Sequence, residues 1–313
     1  MGQPFISICI PAYKRLPFLT RLLNSIAEQT YTDFEVILSD DSPDDTVSDF
    51  LKSYEHHFMI HYFKNNPSLG TPANWNLAIS KAHGEWIKLM HDDDWFTDKD
   101  SLQQFADATK QGPKFIYAAY SNFLEHNQTK QLVQHKSKAI QNILKQPLLL
   151  LSENIIGPPS VTLFHKSISE KYDERMKWRV DLEYYIRILQ QEKEVYAISQ
   201  NLIQVGVSES QVTNYCINVP SVELPEGHLL LTKYGTAPLK NIIVFDAWWR
   251  ILRNCGIRSL QDLTQFGDQY WPTCIQQMVL LQSKFSSHFL KKGIFSKMGM
   301  TYSYIQNYIQ GKL

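Results

Sequence analysis

The stretch GEWIKLMHDDD, residues 84–94, places an apolar run directly before three consecutive aspartates. The stretch DFEVILSDD, residues 33–41, repeats this order and ends in Asp40 and Asp41. Short apolar runs of this kind, separated by helical patterns, are typical of buried strands in a parallel sheet. The carboxyl ends of such strands open into a ligand crevice. The two stretches therefore predict a sheet edge rich in carboxylates, whose charges repel unless a cation or donor groups offset them.

Strand and helix patterns alternate regularly through the first third of the chain. An apolar strand pattern at residues 5–13 is followed by leucines and an isoleucine at helical spacing across residues 16–26. Further strand patterns lie at 34–39, 59–63 and 85–90, and a helical pattern separates each from the next. Four such steps within about 110 residues predict a doubly wound α/β domain.

The rest of the chain is less regular. Strand patterns lie at 114–121 and 161–165, and a helical pattern covers 181–191. Two further short strands are predicted at 195–199 and 202–207.

A mainly helical pattern begins near residue 220. We therefore predict one domain at residues 1–218 and a helical region at residues 219–313. The helical region is expected to serve acceptor binding, oligomerisation or docking at a membrane surface.

The composition excludes several classes of protein. Lysine and arginine together number 31, as do aspartate and glutamate, which argues against nucleic acid as a partner. The four cysteines show no C-x-x-C spacing, and the first 30 residues lack the layout of a secretory signal. No apolar run reaches the 18 residues of a transmembrane helix. A cytoplasmic localisation is expected, and the inner face of a membrane is the alternative.

The ends of the predicted strands suggest how a nucleotide would bind. The first strand ends in Pro11, Ala12 and Tyr13, which leaves backbone groups and an aromatic ring beside the crevice. A base can stack on that ring, and Asp41 can accept a hydrogen bond from a ring N–H of uracil or guanine. The alternative for Asp40 and Asp41 is turn and helix-cap chemistry.

The triple aspartate has a similar pair of interpretations. Asp92 is placed to meet ribose hydroxyls, and Asp93 to hold a metal ion against phosphate oxygens. Mn²⁺ and Mg²⁺ both accept carboxylate ligands, and the sequence does not separate them. The alternative is a solvated acidic loop.

In the order and spacing of its motifs, the chain resembles a family 2 glycosyltransferase of the GT-A fold from about residue 4 to about residue 210. Besides residues 33–41 and 84–94, the matching stretches are ISICIPAY at residues 6–13 and NPSLGTPANWN at residues 66–76.

The resemblance implies a mixed sheet and a nucleotide-sugar site. In that site Pro11 and Tyr13 line the base pocket, with Ala12 and Asn74 among the binding residues. Asp41 then contacts the base, Asp92 faces the ribose, and Asp93 takes the D-x-D role of principal metal ligand.

Three departures from the family pattern concern the diphosphate and the metal. His91 stands where many relatives have the first aspartate of the metal motif. Trp75 replaces a frequent arginine near the diphosphate, and Lys14 replaces a common asparagine. Arg15 is expected to supply part of the missing positive charge.

The stretch WRVDLEYY, residues 178–185, matches the place where the family carries its general base. Asp181 is the expected base, and Glu183 is the competing candidate. In an inverting transfer, such a carboxylate deprotonates the acceptor hydroxyl as it attacks the anomeric carbon. The alternative for Asp181 is a helix N-cap.

The predicted activity is metal-dependent, inverting transfer from a nucleotide-sugar donor to a hydroxyl of a glycan or a lipid-linked glycan, and the expected donor is a UDP-sugar. One alternative is a nucleotidylyltransferase, which would need a glycine-rich loop that residues 11–18 do not contain. The other is a non-catalytic nucleotide- or carbohydrate-binding module, which the substitution at His91 leaves open.

Overall fold

The computed structural model describes residues 2–54, 56–209, 211, 213–266 and 270–313. The chain divides into two compact units. Unit 1 comprises Met1–Pro147, Ile155–Glu174 and Val180–Ser210, and unit 2 comprises Leu148–Asn154, Arg175–Arg179 and Gln211–Leu313.

Unit 1 is built on one mixed sheet, whose strands within the described residues follow the order β3-β2-β1-β4-β8-β6-β9-β5, with β7 paired to β6. In chain order these strands are β1 (Ile6–Ala12), β2 (Phe34–Asp40), β3 (Ile60–Lys64), β4 (Trp86–Leu89), β5 (Trp95–Phe96), β6 (Phe115–Leu124), β7 (Thr129–Val133), β8 (Thr162–His165) and β9 (Tyr196–Val207).

Helices connect the strands of unit 1 and form the C-terminal region. Those described in unit 1 are α1 (Leu16–Ala27), α2 (Thr46–Leu51), α3 (Ala73–Ser80), α4 (Ser101–Ala108), α5 (Ser137–Lys145) and α6 (Val180–Gln191). Those described in unit 2 are α7 (Thr213–Cys216), α8 (Pro220–Tyr234), α9 (Ile242–Asn254), α10 (Leu260–Thr264), α11 (Thr273–Gln282), α12 (Ser287–Lys291) and α13 (Gly293–Ile309).

The parallel part of the sheet explains where the acidic residues lie. Strand β1 pairs in parallel with β2 on one side and with β4 on the other. Ala12 is opposite Asp40, and Cys9 is opposite Leu89, so the segments that follow β1, β2 and β4 leave the sheet at one edge. The central strands are apolar and buried, and each Ile or Leu side chain removed from water contributes about 1.5–3 kcal/mol.

Strand β9 differs from the sequence-based expectation. Two short strands were expected at 195–199 and 202–207, whereas the structure has one strand, Tyr196–Val207. Its pairing with β6 shifts register around Ala119, and polar residues interrupt its apolar pattern at that point. The local break in hydrophobicity therefore marks an irregularity in pairing and not the end of a strand.

Unit 2 is predominantly helical and has its own core around Trp249, which is fully buried. The Glu226 carboxylate accepts hydrogen bonds from the backbone N–H groups of Lys177, Trp178 and Arg179. Arg179 also pairs with Glu223, and both side chains are buried. Among the described residues, no helix has the length and apolar character needed to cross a bilayer.

Candidate active site

The turn after β1 presents an aromatic ring at the sheet edge. Tyr13 is 51% exposed, and the next two residues, Lys14 (φ 61°) and Arg15 (φ 23°), have positive φ angles that side-chain-bearing residues rarely adopt. The Lys14 N–H donates to Ser42 Oγ at 2.7 Å, which ties this turn to the segment after β2. Lys14 Nζ lies 5.1 Å from the centroid of the half-exposed Tyr13 ring, and the base pocket at Pro11, Ala12 and Tyr13 stays a prediction.

Asp41 anchors the loop that follows β3. Its carboxylate accepts hydrogen bonds from Asn65 Nδ2 at 2.8 Å, from the Leu69 N–H at 3.1 Å and from the Gly70 N–H at 2.7 Å. A carboxylate has about four acceptor positions, so one further donor, such as a base N–H, fits beside these three. Asp41 thus has a structural role in addition to the predicted contact with a base.

Asn74 and Asp40 form hydrogen bonds with residues of β2, β3 and the loop that follows β3. The buried Asn74 donates to the Ser39 carbonyl at 3.1 Å and accepts from Asn65 at 3.0 Å. Asp40, fully buried, accepts from Tyr62 Oη at 2.8 Å. Asn74, Asp40 and Asp41 therefore all have hydrogen-bond partners inside the protein.

Arg15 lies between two of the three consecutive aspartates. Its guanidinium forms a two-point ion pair with Asp92, in which Nε lies 3.2 Å from Oδ2, and its Nη1 lies 3.2 Å from Asp93 Oδ2. Burial raises the pKa of Asp92 to about 7, although the positive charge of Arg15 opposes this rise. Arg15 thus supplies the cation that the crowded carboxylates require in the absence of other ligands.

A second group at this edge has the composition of a metal site. Ligand atoms of His91, Asp93 and Asp94 all lie within 4.8 Å of one another. The Nε2 atom of His91 is buried and has no hydrogen-bond partner among the described residues. Burial lowers the pKa of His91 to about 4, so the ring is neutral at neutral pH, the form that binds metal ions.

The residues present therefore fit a divalent cation. One imidazole nitrogen and two carboxylates form the donor set, and Trp75 packs on the ring of His91 with centroids 4.6 Å apart. Sequence reasoning assigned metal binding to Asp93 alone, and the structure adds His91 and Asp94 as candidates. The signal for His91 was its position in the metal motif.

Two residues that sequence reasoning missed position the aspartates. Gly206 of β9 donates its N–H to Asp94 Oδ1 at 3.1 Å, and a Cβ atom at this position would lie 2.4 Å from the Asp93 carbonyl oxygen. Ser160 accepts from the His91 N–H at 2.9 Å and also hydrogen-bonds Asp94. An isolated glycine within a strand pattern indicates such a close backbone approach, so Gly206 had a readable signal.

Asp181 lies in the first turn of α6, where its Oδ1 is 2.7 Å from the Leu182 N–H. The charges of Asp181 and of Asp94 in the acidic cluster both act on Tyr120 of β6. The pKa of Tyr120 is raised to about 12, first by burial and then by the nearby negative charges of Asp181 and Asp94. The structure therefore brings Asp181 into the electrostatic neighbourhood of the cluster, although nearly 90 residues separate the two in sequence.

The competing candidate base has a different environment. Glu183 is fully buried, and its two oxygens lie 2.8 and 2.9 Å from the guanidinium of Arg187, one helical turn later. This two-point pair occupies both oxygens of the carboxylate. The geometry therefore favours Asp181.

Solved structures with the same fold define the class of protein. TarS of S. aureus, crystallised with UDP, superimposes with a TM-score of 0.63 at 16% identity and covers 98% of this chain and 92% of its own. A mannosyltransferase of Pyrobaculum calidifontis, crystallised with GDP-Man and Mn²⁺, has a TM-score of 0.54 at 14% identity, with coverages of 99% and 87%. The chain has the GT-A fold of these transferases, with a helical C-terminal region.

The family model for glycosyl transferase family 2 matches residues 7–173, more than half of the chain. The chain belongs to this family and is a glycosyltransferase.

Curated relatives agree with this assignment. An uncharacterised glycosyltransferase of Rickettsia typhi is 25% identical over 69% of this chain and 68% of its own length. The GalNAc(5)-diNAcBac-PP-undecaprenol beta-1,3-glucosyltransferase of Campylobacter jejuni is 36% identical over 29% of this chain and 30% of its own. The abequosyltransferase of Salmonella typhimurium is 35% identical, with coverages of 31% and 30%. The chain thus spans less than a third of these last two proteins.

Proposed function

We propose that the chain transfers a sugar, with inversion at the anomeric carbon, from a nucleotide diphosphate donor to a hydroxyl of a glycan or a lipid-linked glycan. The observation that carries the proposal is the combination of His91, Asp93 and Asp94 at the sheet edge with Asp181, which lies near enough to Tyr120 that its charge and that of Asp94 both raise the pKa of this tyrosine. A metal-binding group and a separate carboxylate are the two parts that such a transfer needs.

The donor is proposed to be a UDP-sugar. Tyr13 stacks on the base, Asp41 accepts from the ring N–H, and Asp92 accepts from ribose hydroxyls. Uracil and guanine both present a ring N–H, and the two solved relatives hold UDP and GDP-Man respectively. We favour UDP because a related crystal of TarS also contains UDP-GlcNAc, at 16% identity to this chain.

Arg15 is proposed to exchange partners when the donor binds. Its guanidinium pairs with Asp92 and Asp93. A diphosphate is the other group whose geometry a guanidinium matches at two points. Transfer of Arg15 to the diphosphate frees both carboxylates for the ribose and the metal.

The proposed cofactor is Mn²⁺ or Mg²⁺, held by Asp93 with His91 and Asp94. When bound, the ion stabilises the negative charge that develops on the leaving diphosphate. A nitrogen ligand favours Mn²⁺, because Mg²⁺ prefers oxygen ligands almost exclusively.

Asp181 is the proposed general base. It removes the proton from the acceptor hydroxyl while the oxygen attacks the face of the sugar opposite the nucleotide. Glu183 stays paired with Arg187 and takes no part in this step.

The region 219–313 is proposed to contact a membrane surface that bears the acceptor. One face of α13 leaves apolar side chains exposed at spacings of four, four, three and four residues, namely Ile294, Met298, Tyr302, Ile305 and Ile309. The last 30 residues contain five lysines and no aspartate or glutamate. Lys297 of α13 pairs with Asp246, and the other four lysines lie outside this ion pair. An exposed apolar stripe in a segment rich in lysine suits the headgroup region of an anionic bilayer. The undecaprenol in the name of the Campylobacter relative's acceptor is consistent with a lipid-linked substrate.

A turnover assay tests the activity. The full chain is incubated with single nucleotide sugars and a mixed glycan acceptor, with and without Mn²⁺, and released nucleoside diphosphate is measured. Metal-dependent release of UDP supports transfer. Release of pyrophosphate would instead identify the nucleotidylyltransferase, and binding of donors with no turnover on any acceptor would identify the binding module.

A further inference from the structure

Two histidines and a glutamate meet at the amino ends of the parallel strands, the edge opposite the candidate active site. Glu35 is the second residue of β2, His61 is the second residue of β3, and His83 lies in the turn before β4. Glu35 Oε2 is 3.2 Å from His61 Nε2 and 3.0 Å from His83 Nδ1. The three ligand atoms lie within 4.8 Å of one another.

The carboxylate at the centre of this group is rigidly held. Glu35 has a side chain only 2% exposed, and its Oε1 accepts from Ser7 Oγ at 2.5 Å and from the His83 N–H at 2.7 Å. Ser7 Oγ in turn accepts from the Gly84 N–H at 2.8 Å. A Cβ atom on Gly84 would lie 2.6 Å from the Ser7 nitrogen, so this turn packs directly against β1. Supporting hydrogen bonds of this kind orient metal ligands.

The same contacts leave one carboxylate oxygen for the imidazoles. Oε1 of Glu35 is bound by Ser7 and by the His83 N–H, and the other oxygen, Oε2, is directed at two imidazoles. This oxygen is the one available to a cation.

We propose that Glu35, His61 and His83 bind a divalent transition-metal ion, with zinc as the preferred ion, at a site separate from sugar transfer. Ligands about 2.0–2.2 Å from a tetrahedral zinc ion are about 3.3–3.5 Å apart, and the two measured separations fall a few tenths of an ångström short of this. Two nitrogen donors argue against Mg²⁺ and Ca²⁺, because both ions prefer oxygen ligands.

The bound ion cross-links β2, β3 and the turn before β4. The side chain of His83 is 62% exposed, so water can reach the ion as a fourth ligand and the ion can enter from solvent. The ion ties the outer strands of the sheet to the turn that leads into β4, and it therefore stabilises the scaffold of the nucleotide site.

The alternative chemistry for this group is a carboxylate paired with protonated imidazoles. The two possibilities differ in whether the full chain binds a transition-metal ion at pH 7.5. The test uses untagged, metal-stripped protein in an Asp93→Ala background, so that the acidic cluster does not contribute. Zn²⁺ is titrated by calorimetry, and Co²⁺ is titrated while its visible absorption is recorded.

We expect one equivalent of Zn²⁺, a tetrahedral Co²⁺ spectrum and a higher melting temperature with Zn²⁺. His83→Ala, at an exposed position that leaves the fold intact by circular dichroism, abolishes all three signals. Ser7→Ala weakens binding about 10- to 100-fold, the usual effect of removing a group that orients a ligand. His126→Ala, an exposed histidine elsewhere, is the matched control and changes nothing.

Three results would overturn the site: no saturable binding in the Asp93→Ala protein, binding that His83→Ala leaves unaltered, or equal losses in His83→Ala and His126→Ala. Because the readouts are metal binding and melting, they do not depend on whether the chain transfers sugar.

Discussion

Single residues at the sheet edge have two kinds of role. Asp93, His91 and Asp181 are the residues proposed to take part in the reaction, whereas Asn74 and Gly206 contact the backbone around them, at Ser39 and Asp93. Sequence motifs reveal the first kind because charged groups in strand-end positions are conspicuous. They reveal the second kind poorly, because a glycine or an asparagine can occur in a sequence for many structural reasons that the sequence does not distinguish.

The residue-scale prediction for the base concerns Asp181→Asn. We expect donor binding to be retained and turnover to fall about 10²- to 10⁴-fold, because only proton removal is lost. Steady-state kinetics with the donor that releases UDP, together with donor affinity by calorimetry, check this. A variant that keeps near-normal turnover would move the base elsewhere. Glu183→Gln, which removes a carboxylate in the same helical turn, is the comparison.

A second residue-scale prediction concerns the metal. His91→Asp replaces the nitrogen ligand with oxygen, so we expect the ratio of Mg²⁺-supported to Mn²⁺-supported turnover to rise. The measurement is initial rate against metal concentration for both ions. His91→Ala removes the nitrogen without adding an oxygen. It should lower Mg²⁺-supported and Mn²⁺-supported turnover by the same factor. An unchanged metal ratio in His91→Asp would argue that His91 is not a ligand.

Elements of the fold differ in how well local patterns predicted them. Helix α1 and strands β1, β2 and β4 agree with their apolar periodicity, because each buries one continuous surface. Strand β9 was expected as two strands, since the polar residues 199–201 interrupt its apolar pattern. Pairing with β6 over most of its length, and not its own hydrophobicity, maintains β9 as one strand.

The element-scale prediction concerns α13. The full chain should sediment with vesicles that contain anionic phospholipid and should fail to sediment with neutral phosphatidylcholine. Met298→Glu should lower this binding about tenfold or more, because it loses the burial of a large apolar side chain and adds a negative charge.

The control for α13 is Leu132→Glu on β7, an exposed apolar residue outside the helical region, 55% exposed against 66% for Met298. It should bind vesicles as the unaltered chain does. If a second copy of the chain covers α13 instead, sedimentation velocity will report a dimer that Met298→Glu dissociates, and vesicle binding will be absent.

At the scale of the whole molecule, the helical unit is not one continuous stretch of chain. Residues 148–154 and 175–179 belong to unit 2 together with the region that begins at residue 211. Within unit 2, Arg250 donates to the Ser152 carbonyl at 3.1 Å, and the buried Arg179 pairs with Glu223. A division at residue 218, as the sequence suggests, separates these partners.

We therefore predict that residues 211–313 expressed alone are markedly less stable than the same residues in the full chain. Without Arg179, the buried carboxylate of Glu223 is left uncompensated, which costs about 3–5 kcal/mol. Urea unfolding followed by circular dichroism measures the difference. A fragment that unfolds cooperatively at the same urea concentration as the helical part of the full chain would contradict the prediction.

The sequence by itself determined the alternating α/β order, the aspartates at the strand ends and the family. These features are local: a strand and the loop after it are adjacent in the chain, so a short window contains the information. Only the tertiary structure decided that Gly206 and Ser160 meet Asp94, that Arg15 pairs with Asp92, and that Glu35 faces His61 and His83. Those contacts depend on the order of strands in the sheet, which brings together residues up to 112 positions apart and which no local periodicity encodes.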